Sequence, residues 1–143
     1  MTLKEQFIKL GYTEEDYEII RNNYAVNQIK DETLIKKLKD NFAFLLKIGY
    51  TKEEVIKMTK SLPAIYGYSI ENMKQKIDFY DSIDMHELAV IDSKKLMQSV
   101  NLSYARYSFY KDRGIDIDMN NYRKLFVEQK KFEKAYRITK KNY

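Results

Sequence analysis

The tripeptide Gly-Tyr-Thr occurs twice, at Gly11–Thr13 and again at Gly49–Thr51, and the match extends well beyond three letters. FIKLGYTEEDYEIIRNNY sets against LLKIGYTKEEVIKMTKSL with the apolar positions in register. Tyr17, Ile20 and Tyr24 of the first copy fall on Val55, Met58 and Leu62 of the second. That i, i+3, i+7 stripe predicts one buried helix face in each copy. Internal repetition constrains the fold because a chain of copies must bury each unit against its neighbours. Both helices also share a start signal. Thr13 precedes Asp16 by three residues and Thr51 precedes Glu54 by three, so each threonine can cap free N–H groups while the carboxylate reaches back.

A second helix follows in each unit, with Leu34, Leu38, Phe42 and Leu45 on its apolar stripe in the first, and Ile70, Met73, Ile77 and Tyr80 in the second. A third helix carries Leu102, Ala105, Phe109 and Tyr110. These helices run out at Gly49, Asp84 and Gly114, residues tolerant of the left-handed geometry that closes a helix, and Gly11 holds the same place at the start. The spacings of 38, 35 and 30 residues are those of helical repeats joined by loops of variable length. Pro63 breaks the chain between the two helices of the middle unit, where the first unit has Ala25. From Asp118 onward the pattern is again helical, with Tyr122, Leu125, Phe126, Phe132 and Tyr136 as its apolar residues. The expected fold is all-α. It is a single domain, a short helical-repeat solenoid of about three units (residues 1–48, 49–84 and 85–114) closed by a basic helical cap at 115–143.

Composition narrows the function. The chain has no cysteine, which excludes a disulfide framework, a thiolate metal site and a cysteine nucleophile. His86 is the single histidine, and no serine sits in a Gly-x-Ser-x-Gly elbow. Asp116-x-Asp118-x-Asn120 starts like a calcium loop, but Asn121 stands at the required glycine and Val127 at the bidentate glutamate, so these side chains read as caps. Neither a catalytic residue nor a cofactor or metal site is predicted, and the chain reads as non-enzymatic. Its apolar runs are far too short to span a bilayer, and its beginning has neither a secretory core nor an Arg-rich transit character, so a cytoplasmic protein away from membranes is expected.

The segment LLKIGYTKEEVIKMTKSLPAIYGYSIENMKQKIDFYDSIDM resembles a repeat of the mitochondrial transcription termination factor (mTERF) family, with Leu-x-x-hydrophobic-Gly, a short helix, Leu-Pro, and Tyr-Ser-x-Glu-Asn-hydrophobic before a closing helix. Ser103 to Tyr107, continuing to Tyr110 and Gly114, is similar to the family's Pro-Arg-Tyr helix with Ala105 in place of the proline. Lys130 to Tyr136 is similar to its closing Lys-Phe-x-x-x-Tyr segment. The resemblance implies a left-handed solenoid of roughly 30-residue repeats. It also implies a curved face that binds duplex DNA or RNA, and a role in gene expression. The first and third units lack the proline and the units are few, which fits a compact bacterial or mobile-element relative.

Charge points to the same partner. Residues 121–143 hold eight basic side chains (Arg123, Lys124, Lys130, Lys131, Lys134, Arg137, Lys140 and Lys141) and two acidic ones, a net of +6, whereas the first 120 residues sum to −1. Clustered cations are what a phosphate backbone rewards, so these eight, with Arg106 on the helix of the third unit, are the predicted nucleic-acid contacts. Of the 13 tyrosines, Tyr17, Tyr24, Tyr80, Tyr110 and Tyr136 are expected in the core, while Tyr66 and Tyr68 of the Tyr-Gly-Tyr-Ser loop, Tyr104 and Tyr107 are open to a ligand-facing role. Arg106 has a second reading, as a tie between repeats. The alternative function is a protein-interaction module, since small helical solenoids commonly bind other proteins on the concave face.

Overall fold

The computed structural model describes residues 1–136. Among them are eight α-helices and three 3₁₀ helices, and no strand. Helix α1 is Leu3–Leu10, α2 Glu14–Arg21, α3 Asp31–Lys47 and α4 Lys52–Ser61. A 3₁₀ helix η1, Pro63–Gly67, leads into α5 at Ile70–Ser82. Then come α6 (Leu88–Ile91), η2 (Ser93–Met97), α7 (Val100–Asp112), η3 (Tyr122–Phe126) and α8 (Gln129–Tyr136). The chain divides into two compact units, one of Met1–Lys74 with Val90–Lys94, the other of Gln75–Ala89 with the chain from Lys95 on.

The repeat is written most plainly at the ends of the long helices. Gly11, Gly49 and Gly114 have φ of 110°, 114° and 74°, and Asp84 has φ of 57°. At each the same pair of hydrogen bonds forms. The N–H of the left-handed residue reaches back three positions, to the carbonyls of Ile8, Leu46, Asp81 and Lys111, and the next N–H reaches back five, from Tyr12 to Phe7, Tyr50 to Leu45, Met85 to Tyr80 and Ile115 to Tyr110. This is the Schellman closure, which satisfies carbonyls the helix leaves open. The accompanying apolar contact is present in the first copy, where the Phe7 and Tyr12 rings lie edge to face at 5.3 Å.

Helix starts are equally regular. Thr13 and Thr51 form the expected reciprocal boxes with Asp16 and Glu54, and Thr2 forms one more with Glu5. Ser69 and Ser99 accept from the N–H groups of Asn72 and Leu102, capping α5 and α7. Pro63 occupies the first turn of η1, where its fixed φ suits the bend and its missing N–H costs nothing.

The first unit closes over Phe7, Ile20, Val26, Leu34, Leu38, Leu45, Val55, Met58 and Ile65. Inside it the Tyr12 hydroxyl lies 2.5 Å from both Thr59 Oγ1 and the Tyr66 hydroxyl. Thr59 donates its own proton to the Val55 carbonyl at 2.9 Å, so this buried hydroxyl cluster is anchored on helix α4. The second unit packs Phe79, Tyr80, Phe109, Tyr110, Leu125 and Phe132, with Phe109 and Phe132 edge to face at 5.1 Å.

Three expectations are corrected here. Tyr24 is 77% exposed, because α2 ends at Arg21, two residues shorter than α4, and in the turn that follows Val26 takes the buried place that Ile65 holds in the second copy. Tyr66 is fully buried in the hydroxyl cluster and presents no ring to a ligand, while Tyr68 is half-buried. The segment from Asp118 is not one helix: η3 ends at Phe126, Val127 is extended, and α8 starts at Gln129.

Candidate nucleic-acid interface

Each long helix carries a polar side chain eight residues before its left-handed terminus: Asn41 before Gly49, Lys76 before Asp84 and Arg106 before Gly114. All three donate to carbonyls of the 3₁₀ turn that follows. Asn41 Nδ2 reaches the Ile65 and Tyr68 carbonyls at 2.9 and 3.2 Å, and Lys76 Nζ reaches the Leu96 carbonyl. Arg106 Nη1 reaches those of Leu125 and Val127 at 2.9 and 2.6 Å. A 3₁₀ turn leaves carbonyls without intrahelical partners, and a buried donor is the alternative to hydration. The role is therefore shared by chemically different residues. Burial pushes the Lys76 ammonium below the usual lysine range.

Arg106 thus takes the second of its two readings. It is 1% exposed, its guanidinium stacks 4.7 Å over the Phe132 ring, and Nη2 meets Gln129 Oε1 at 3.1 Å. A group so enclosed has no path to a phosphate without local unfolding, which corrects its assignment as a nucleic-acid contact.

The other described candidates are all exposed: Arg123 and Lys124 on η3, and Lys130, Lys131 and Lys134 on α8. The fold projects them outward by anchoring their neighbours. Tyr122 and Leu125 are buried and turn Arg123 and Lys124 to solvent, and the Tyr110 hydroxyl donates to the Lys124 carbonyl at 3.2 Å. On α8, Phe132 is fully buried, with its ring 5.1 Å from that of Tyr136, so Lys130 and Lys134, one turn apart, stand away from the core. Two further contacts extend the patch. The Arg123 guanidinium lies 5.1 Å from the Tyr122 ring centroid, and Lys95 Nζ lies 5.8 Å from that of Phe126. Lys95 was not among the sequence candidates. Its signal is one of register, since Lys95 is the third residue of η2 as Lys124 is of η3. Arg137, Lys140 and Lys141 lie outside the described residues.

The Asp116–Asn121 loop uses its side chains on itself: Asp118 Oδ1 accepts from the N–H of Asn120 and Asn121 Oδ1 from that of Asp118, both at 2.8 Å. His86 Nδ1 pairs with Asp81 Oδ1 at 2.6 Å across the turn at Asp84. Among the described residues no helix is long and apolar enough to cross a membrane.

Helix, short turn, helix, with a left-handed stop at each boundary, is the architecture that the Leu-Pro and Tyr-Ser motifs led one to expect, and the mTERF family model matches residues 3–91. The chain belongs to the mTERF family. Proteins of the mTERF family are in general nucleic-acid binders connected with transcription. No curated protein and no solved structure matches the chain. The mTERF match covers both Gly-Tyr-Thr units and ends at Ile91, and the five exposed cations of η3 and α8 lie beyond it.

Proposed function

We propose that this mTERF-family chain is a non-enzymatic, cytoplasmic nucleic-acid-binding protein that regulates gene expression by occupying duplex DNA or RNA. One observation carries the reading: Arg123, Lys124, Lys130, Lys131 and Lys134 all face solvent on two short helices whose other faces are core. Such an arrangement suits contacts to phosphate, which set position on a duplex without reading its sequence. The helical repeats are the scaffold that holds the cations in place. Lys95 belongs with the patch, its charge held beside Phe126.

The test is fluorescence anisotropy with labelled duplex DNA, single-stranded DNA and RNA at about 50 and 200 mM salt, where phosphate-driven binding falls steeply. Binding of one of these that weakens with salt and is lost in the Lys130→Glu/Lys134→Glu variant supports the reading. Binding indifferent to salt, or none at micromolar protein, overturns it.

A further inference from the structure

A groove of about 480 Å³ opens on the first unit between α1 and α3, well away in sequence from the basic patch. Its floor is apolar: Leu10 comes from α1, and Phe42, Ala43 and Leu46, at the spacing of one helix face, come from α3. Leu46 is 41% exposed, a large apolar side chain presented to water. Around this floor stand Lys9, Lys39 and Lys52, all exposed, and none has an ion pair or hydrogen bond among the described residues. Lys52 is placed there by Gly11. A Cβ on Gly11 would come within 2.6 Å of Lys52 Cε, so the bare glycine lets the lysine stem lie across the turn.

An apolar floor with a rim of one charge sign selects its occupant. A phosphate backbone gains nothing from Leu10, Ala43 and Leu46, whereas an amphipathic helix lays its apolar face into such a groove and meets the rim with flanking side chains. Three lysines without acidic partners call for carboxylates. We infer that the α1/α3 groove is a docking site for an acidic amphipathic helix of a protein partner, whose apolar stripe covers Leu10, Ala43 and Leu46 and whose Glu or Asp side chains pair with Lys9, Lys39 and Lys52. This site is separate from the patch on η3 and α8 and stands or falls independently of it.

The probe is a labelled Leu/Glu peptide of about 14 residues, close to four helical turns, with apolar residues at helical spacing. Two controls accompany it, a scrambled peptide of the same composition and a Leu/Lys peptide of the same pattern. Against the full chain, saturable binding of the Leu/Glu peptide is expected, weakened about tenfold or more by Lys39→Glu and by Leu46→Gln. The Lys130→Glu/Lys134→Glu variant should bind it as the parent does. Both groove positions are solvent-facing, and unchanged circular dichroism and thermal transitions would show that the variants fold. No saturable binding overturns the proposal, as does equal affinity for the scrambled peptide or the Leu/Lys peptide. Displacement of the peptide by duplex DNA, with DNA affinity itself lost in Lys39→Glu, would also overturn it and make the groove a phosphate contact.

Discussion

The Arg106 guanidinium donates to the carbonyl of Leu125, 19 residues further along, at 2.9 Å, and the same nitrogen also reaches the carbonyl of Val127. One buried side chain thereby serves both η3, where Gln98 Nε2 also donates to Leu125, and the extended residue after it. Removing it takes the donor from the Val127 carbonyl and leaves Gln98 Nε2, at 2.9 Å, as the remaining side-chain donor to Leu125, and losing such a buried partner costs about 1–3 kcal/mol. Arg106→Leu should therefore lower the urea midpoint sharply. Arg106→Lys, which keeps a donor as Lys76 does in the preceding helix, should lose less. A variant with parental stability would remove the structural role assigned to Arg106.

Gly114 and Gly67 separate two uses of glycine. Gly114 has φ of 74°, and a Cβ added there would meet no atom within 4 Å, so Gly114→Ala incurs only the backbone penalty, about 1 kcal/mol of destabilisation. Gly67 lies outside the left-handed region and its nearest neighbour would be the Ala25 carbonyl at 3.8 Å. Gly67→Ala should be neutral or stabilising by up to about 1 kcal/mol, through the unfolded chain. Denaturant curves of the two variants should move in opposite directions or, at the least, differ by the backbone penalty at Gly114.

Tyr12 and Tyr66 make stability depend on alkaline pH. Burial pushes the Tyr12 phenol up to about 12, and Tyr66, more deeply buried beside it, also lies well above the usual value of 10.0. A raised acid holds its proton more tightly when folded. Its contribution is fully present below pH 10 and declines as pH rises toward the folded value, because the unfolded chain then releases protons that the folded one keeps. The slope between those limits is about 1.4 kcal/mol per pH unit for each such group. Urea titrations at rising pH should show no loss from this source below pH 10 and a decline above it. Tyr66→Phe should reduce the slope, and an unchanged slope would contradict the burial argument.

Thr51 closes α4 through a reciprocal box with Glu54, the two bonds measuring 2.9 and 3.1 Å. Thr51→Ala should cost about 1 kcal/mol, and Thr51→Ser much less, since serine keeps the accepting oxygen. Equal losses in thermal unfolding would mean that the methyl group, not the cap, is what matters.

For nucleic-acid binding, Lys130 and Lys134 are exposed and not engaged in the core. If both contact phosphates, the Lys130→Ala/Lys134→Ala variant should flatten the slope of log affinity against log salt by about 1.8, some 0.9 for each contact. Affinity lost without a change of slope would assign the two lysines to the fold.

The features legible in the amino-acid sequence are those decided within a few residues. A Schellman closure is made by six consecutive positions and a residue that accepts positive φ, so Gly11, Gly49, Asp84 and Gly114 declare it, and the threonine boxes are equally local. The apolar stripe Leu34, Leu38, Phe42 and Leu45 is local too, since helical period alone puts those residues on one face, and all four are buried. What tertiary structure decided is which of two similar residues is enclosed. Tyr24 and Tyr66 both follow an amphipathic helix, yet one stands in solvent and the other bonds Tyr12, because α2 stops two residues shorter than α4 and Val26, not Tyr24, turns into the core. Arg106 and Arg123 both sit among aromatic rings, yet one is sealed under η3 and the other exposed, because only Arg106 faces carbonyls that need a donor. Periodicity places a side chain on a face; what covers that face is set by segments distant along the chain.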